Sequence, residues 1–418
     1  MAGAPQSAHA LLRMLARRGH PCEAVAIVDR PRGRRGATSS PARAPRSRDR
    51  LPAVDARNGY PVYRCAPMLF HAVLEDRLRH LRPDLVVTQL AGSPRIAAQS
   101  LAAGVPTIVL VHSHYDVERG YPSDDRVLFV SASRFVAGLV REGLGRESPV
   151  CYPLVVQSDY GCRTRRPRYV TFVGPVPVKG LEVALAVAER LPHRRFLFVE
   201  SWPLEPADRR RLAKRLARTP NVILRPRTRR MASIYRETAL LLVPSQYPEA
   251  FGRVIVEAQI SGIPVVASDI GGIPEAIGAG GILLAPGESP NVWAATVETI
   301  LADPARRHVL ATAAQLNVTR LDLAPEALAD GFLAIARVHI ARAAENVRRA
   351  RQGACPAREG RAEAAARLPA HGGPEFGRLG VVPACGHGSD RPQDPLGVWR
   401  RLTSIVTGAV GRGPTLGS

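Results

Sequence analysis

Short apolar runs alternate with longer segments whose apolar residues recur at helical spacing through most of this 418-residue chain. Residues 7–19, SAHALLRMLARRG, carry helical periodicity and a glycine stop, and CEAVAIV then reads as a strand. FHAVLEDRLRHLRPDLVVTQ predicts a helix, a turn and a strand ending near Gln89. SPRIAAQSLAAGVPTIVLVHSHYD repeats the pattern, and RVLFVSASRFVAGLVREGL gives strand then helix. After PVCYPLVV the alternation restarts, with strands RYVTFVG, RFLFVES, NVILRP, LLLVPS and PVVAS separated by helical segments. This order predicts an α/β chain: parallel sheets covered by helices on both faces.

The pattern divides the chain into two Rossmann-like doubly wound domains, 1–156 and 157–322, facing a cleft. Residues 323–345 read as a helical segment returning to the first domain. Residues 30–50, rich in Arg, Pro and Ser, predict a mobile loop, and the Arg/Ala/Gly/Pro-rich stretch 346–418 predicts disorder. Within that stretch PLGVWRRLTSIVTGAVG is a short amphipathic piece suited to a membrane surface or a partner. One irregularity stands out. A doubly wound domain opens with a strand that becomes central in its sheet, yet only MAGAPQ precedes the first helix. The expectation is a first domain lacking its first strand, either because the true start lies upstream or because the domain is incomplete.

Composition changes the picture little. The hydrophobic share of 45% fits a folded globular chain. No apolar run reaches the roughly 18 residues of a membrane span, and no signal-peptide pattern opens the chain, so the expectation is a cytoplasmic protein. The six cysteines are scattered without metal-ligand spacing. The net charge of +22 invites a nucleic-acid reading. Against it, lysine stands only at Lys179 and Lys214, and the arginines spread along the chain beside abundant Ala, Gly and Pro, as a compositional bias would place them. No nucleic-acid partner is expected; contact with anionic lipid at the inner face of a membrane, or with an anionic sugar nucleotide, suits the charge.

The candidate chemistry concentrates in LLLVPSQYPEAFGRVIVEAQISG. The strand ends at Pro244, and a helix is expected from near Ala250 to about Ser261, stopped by Gly262 and Pro264. Free amides at its start suit a phosphate, and Gly252 lets a ligand approach the backbone. On such a helix Glu249 and Glu257 stand about 80° and roughly 12 Å apart, too far for a hydrolytic carboxylate pair but suited to opposite ends of an extended ligand.

This stretch resembles family 4 glycosyltransferases, retaining enzymes of the GT-B fold, whose second domain carries E-x-F-G-x4-E. Glu249, Phe251, Gly252 and Glu257 match that pattern, and the resemblance extends through SGIPVVASDIGGIPEAIG and YVTFVGPVPVKGLEVAL. It implies that Glu249 contacts the donor sugar, that backbone amides at Phe251 and Gly252 meet the sugar or diphosphate, and that Glu257 holds the nucleotide ribose. The family's G-R-x4-K-G loop supplies two cations to the diphosphate. Here GPVPVKG keeps Gly174 and Lys179 but places Pro175 where arginine is expected; Arg253 or Arg227 is the candidate substitute. His112, just past a strand end, lies where family members often carry a histidine near the donor sugar, with His114 and Asp116 as weaker candidates. Gly3 and Ala4 fall where the family's first loop borders the reaction centre, and RPRTRR, residues 225–230, where it frames the base.

The implied reaction moves a hexose-type sugar from a nucleotide donor, UDP- or GDP-linked, to a glycan or lipid-linked acceptor with retained α configuration. It uses no protein nucleophile, no cofactor and no metal, and the chain has no DxD motif. Two rival readings share the site: a sugar-nucleotide-binding protein without transfer activity, favoured by Pro175, and a GT-B nucleotide-sugar epimerase, disfavoured by the E-F-G-x4-E pattern.

Overall fold

The computed structural model describes residues 3–27, residues 53–353 apart from 91, 118, 119, 163, 202, 203 and 205, and residues 402–404. The loop expected at 30–50 and most of the tail expected at 346–418, with its amphipathic piece, lie outside the described residues.

Strands β1 (Cys22–Ile27), β2 (Ala53–Asp55), β3 (Val62–Cys65), β4 (Leu85–Gln89), β5 (Thr107–Val111) and β6 (Val127–Ser131) build a first sheet. Strands β7 (Tyr169–Val173), β8 (Phe196–Val199), β9 (Val222–Arg225), β10 (Thr238–Val243), β11 (Val265–Ser268) and β12 (Gly281–Leu284) build a second. A short strand β13 (Leu402–Ser404) joins the first sheet. The central strands are apolar at nearly every position because helices cover both faces: every residue of β4 and of β10 is buried. Where β7 and β10 pair, Thr171 and Thr238 satisfy each other's buried hydroxyls at 2.8 Å.

The second sheet runs β12-β11-β10-β7-β8-β9, all parallel. Counted from its own first strand this is the doubly wound order 3-2-1-4-5-6, whose ligand crevice opens where the order reverses, beyond the carboxyl ends of the two central strands. Here those are β7 and β10. The first sheet runs β2-β3-β1-β13-β4-β5-β6 and is parallel except for the β2–β3 pair. The fold is GT-B: two Rossmann-like units facing one another.

Two sequence expectations change here. The place of the first strand is filled, by β13, and Leu402–Ser404 is therefore a strand inside the stretch expected to be disordered. The helix expected from near Ala250 occupies only Arg253–Gln259, which leaves Glu249 in the loop before it. The helical geometry assumed for the pair Glu249 and Glu257 does not apply.

One hydrophobic cluster runs through both domains, joining Leu12, Leu15 and Ile108 to Ile255, Val256 and Ile273 by way of Tyr152, Leu154 and Phe332. The helix Pro325–Gly353 packs on the first domain, where Arg18 pairs with Asp330 at 2.5 Å and His339 Nε2 donates to the Arg126 carbonyl at 3.0 Å.

Candidate functional site

The crevice at the second sheet's switch point is bounded by the loops after β7 and β10. The β7 loop begins with Gly174 at φ 83°, where an added Cβ would stand 2.8 Å from Ser201 Oγ. Pro175 is buried, and Pro177–Lys179 forms one 3-10 turn. Gly180 ends that turn at φ 84°, with the Pro244 carbonyl oxygen 1.8 Å from where a Cβ would be. Only glycine fits both the dihedral and the contact. The Gln246 amide donates to the Val178 carbonyl at 3.0 Å, so the two loops form one unit.

That unit brings Lys179 Nζ within 2.8 Å of Glu249 Oε2, and the Ser245 hydroxyl donates to the other carboxylate oxygen. Gly271 and Gly272 hold this acid in place. The Gly272 amide donates to the Glu249 carbonyl at 2.7 Å. A Cβ on Gly271 would come 2.5 Å from that same carbonyl oxygen, and one on Gly272 would come 2.2 Å from the Ala250 oxygen. The glycines exist because the backbone carrying Glu249 lies directly on them. Phe251 is buried and stacks on Tyr152 with ring centroids 5.0 Å apart, and Gly252, at φ 89°, turns the chain into the helix Arg253–Gln259.

Glu257 is nearly sealed, at 4% exposure. Its Oε1 accepts from Arg253 Nε at 2.8 Å and its Oε2 from the Tyr235 hydroxyl at 2.9 Å. Burial, followed by the adjacent Glu257 carboxylate, holds the Tyr235 phenol well above its ordinary pKa, so it remains a donor. Arg253 then reaches out of its own domain. Its Nη1 donates to Ser7 Oγ at 2.6 Å and to the Leu154 carbonyl at 2.7 Å, and its Nη2 to the Tyr160 hydroxyl at 3.0 Å. The sequence offered Arg253 as a substitute cation for a diphosphate; the structure commits its guanidinium to Glu257 and to a bridge between the domains.

Lys179, Arg227, Glu249, Arg253 and Glu257 line a single cavity of about 170 Å³, with Gly3 and Gln6 of the first domain closing one side. Arg227 is exposed there and makes no ion pair with the described residues. Ser201, Ser245 and Thr228 contribute hydroxyls that sequence reasoning did not single out; no local motif marks them, since their place follows from the ends of β8, β9 and β10. His112 lies apart, in a small cavity between the helix Gly3–Arg17 and residues 151–154. Its Nε2 meets Gln89 Oε1 at 2.9 Å, and burial pushes its pKa down to about 4. Asp116 accepts from the His112 amide at 3.1 Å and from the Ser113 hydroxyl at 3.1 Å, which makes it a brace for that turn. Glu275, within the stretch SGIPVVASDIGGIPEAIG, crosses the cleft. It accepts from the amides of Arg134 and Phe135 at 2.8 and 2.9 Å, capping the helix Arg134–Leu144 of the first domain, and from the Tyr152 hydroxyl at 2.9 Å.

Comparison with known proteins agrees with this architecture. The model described as "Glycosyltransferase Family 4" matches residues 1–142, and that described as "Glycosyl transferases group 1" matches residues 167–303. The chain belongs to glycosyltransferase family 4. A D-inositol 3-phosphate glycosyltransferase of Segniliparus rotundus is 36% identical over 177 residues, which are 40% of this chain and 38% of the relative. One of Streptomyces bingchenggensis is 31% identical over 242 residues, 54% of this chain and 47% of the relative. The matched part thus spans less than half the length of these relatives. Among solved structures, Anabaena HepE in complex with UDP and glucose aligns with a TM-score of 0.57 at 20% identity, covering 67% of this chain and 86% of that one. Sucrose-phosphate synthase of Thermosynechococcus elongatus aligns with a TM-score of 0.60 at 19% identity, covering 79% and 92%. These structures share the GT-B fold. Among the described residues no helix is long and apolar enough to cross a membrane.

Proposed function

We propose that the protein transfers a sugar from a nucleotide-sugar donor, UDP- or GDP-linked, to a hydroxyl of a glycan or lipid-linked acceptor, with retention of α configuration and without a bound metal. The observation that carries this reading is the convergence of Lys179, Arg227, Glu249 and Glu257 on one cavity at the switch point. The names of the curated relatives, and UDP-glucose in a HepE structure, support the donor class.

In this reading the donor's diphosphate takes over Lys179 from Glu249, and the released carboxylate accepts from sugar hydroxyls. Glu257 retains acceptor capacity for the ribose, since each carboxylate oxygen has a second lone pair. As the bond from the anomeric carbon to the diphosphate breaks, negative charge grows on the leaving group and Lys179 stabilises it, with Arg227 at the rim. The acceptor hydroxyl attacks on the same face and its proton passes to a diphosphate oxygen. The donor enters through the side of the cavity where Arg227 is exposed.

The test is thermal unfolding with a panel of nucleoside diphosphates and sugar nucleotides, followed by a donor-consumption assay. A ligand at a hundred times its Kd stabilises by about 2.7 kcal/mol, and no stabilisation by any of the panel overturns the proposal. In the same assays Glu257→Ala weakens donor binding and Glu249→Ala chiefly lowers turnover; unchanged behaviour in both removes the site assignment. Pro175 favours a second reading, a binding protein without turnover, which stabilisation without donor consumption would select.

A further inference from the structure

Two donors aim the carboxylate of Glu257, and one of them is set from the other domain. Tyr235, in the same domain, donates to Oε2 at 2.9 Å, and Arg253 Nε donates to Oε1 at 2.8 Å. A guanidinium is a planar, rigid fork, so fixing one end fixes the direction of its other N–H bonds. Nη1 is fixed from the first domain's side, by Ser7 Oγ at 2.6 Å and the Leu154 carbonyl at 2.7 Å, and Nη2 by the Tyr160 hydroxyl at 3.0 Å. Ser7 is suited to accept, because its own hydroxyl proton goes to the Gly3 carbonyl at 3.2 Å. A Cβ on Gly3 would stand 3.5 Å from Arg253 Cδ, so the end of the helix Gly3–Arg17 lies against that side chain. Gly3, Gln6, Arg253 and Glu257 all line the candidate donor cavity. Ion pairs four apart on an exposed helix face are weak. Here the Arg253 and Glu257 side chains are only 9% and 5% exposed, so water cannot stand in for a donor that is out of place.

We propose that Ser7 and Arg253 are positioning residues for the donor's ribose: the first domain, through Ser7 and then Arg253, orients the Glu257 carboxylate that accepts from the ribose hydroxyls. The proposal rests on the reading of Glu257 as the ribose acceptor. Each Glu257 oxygen uses one lone-pair direction on its protein donor and keeps another. Where the remaining directions point depends on the plane of the carboxylate, and that plane follows the guanidinium. Tyr235 alone holds only Oε2, about which the carboxylate can still turn. Recognition of the ribose is therefore a property of both domains, although its acceptor belongs to the second.

Equilibrium binding of UDP and GDP to the full chain, each measured against its 2′,3′-dideoxy form, tests this. The wild type binds its preferred nucleotide about tenfold or more tighter than the dideoxy form, the scale of a hydrogen bond to a charged group. Ser7→Ala weakens the ribose form by about fivefold and leaves the dideoxy form within about twofold, because only the ribose form uses the aimed carboxylate. A Ser7 that merely holds the domains together weakens both forms alike; that result, or no change in either, overturns the proposal. Should Ser7→Ala fail to fold, Arg253→Lys decides instead. It keeps a charge beside Glu257 but lacks the fork, and it lowers the ratio of the two affinities in the same way; an unchanged ratio overturns the proposal. A wild type that binds both forms equally removes Glu257 from the ribose, and the proposal with it. Binding of neither UDP nor GDP overturns the underlying nucleotide-sugar reading instead.

Discussion

Two sheets with one strand order are assembled in opposite ways. The second takes all six strands from residues 169–284, each separated from the next by a helix or a loop. The first takes six from residues 22–131 and its central one from 402–404. The second domain is accordingly a contiguous object whose stability and chemistry depend on its own loops. The first takes its central strand from more than two hundred residues away in sequence. Local contacts form with little loop-closure cost, whereas a distant strand docks only after a long loop has closed.

Substitutions can sharpen this contrast, beginning where the two domains are joined. Glu257→Ala strands Arg253, which is buried with its charge, and the expected cost is about 3–5 kcal/mol in chemical denaturation. A loss below about 1 kcal/mol would mean that the bridge to Ser7 and Leu154 holds without its carboxylate. Gly180→Ala places a Cβ against the Pro244 carbonyl at a positive φ and costs about 2–4 kcal/mol, confined to the second domain. Hydrogen exchange would show that confinement as lost protection in β7 and β10 with β4 unchanged. Lys179→Ala leaves unfolding nearly unchanged and lowers turnover at saturating donor by about 100-fold or more; retained turnover would dismiss Lys179 as the cation of the leaving group.

Smaller effects come from the first domain's side of the cleft. Glu275→Ala removes the acceptor of two helix-end amides and of the Tyr152 hydroxyl, at an expected cost of about 1–2 kcal/mol. The smallest concerns pH. His112 has its pKa pushed down to about 4 by burial, from an ordinary value of 6.5. The unfolded chain therefore binds more protons between those values, and the stability from a neutral His112 is complete above about pH 6.5 and lost as pH falls toward 4. His112→Asn should flatten the pH dependence of the melting temperature in that window; an unchanged slope would place the titration elsewhere.

The difference between the sheets also explains what could be read in advance. In the second domain five of the six strands advertise themselves by an apolar run next to a helical segment, so the loops bearing Lys179 and Glu249 follow from the sequence; β12, only half-buried along its length, does not. A three-residue strand has no such neighbour. Leu402–Ser404 becomes recognisable only when a slot of matching direction exists, and that is a tertiary fact. Site residues divide in the same way. Glu249, Lys179, Arg227 and Glu257 meet in one cavity, whereas His112 lies in a neighbouring one. Spacing could not tell that Arg253 faces Ser7 rather than a phosphate, because the direction of a helical side chain depends on where the helix begins. Glu275 carried no motif for a cap because the helix it caps belongs to the other domain.

The Arg253 bridge carries a practical consequence. Its guanidinium joins a buried acid in one domain to a serine and a carbonyl in the other, so any parting of the domains breaks the two bonds donated by its Nη1. Arg253 is the only buried arginine among the described residues, so its guanidinium offers a native spectroscopic reporter. One resolved arginine side-chain resonance, followed during a nucleotide titration, would register opening and closing without a label.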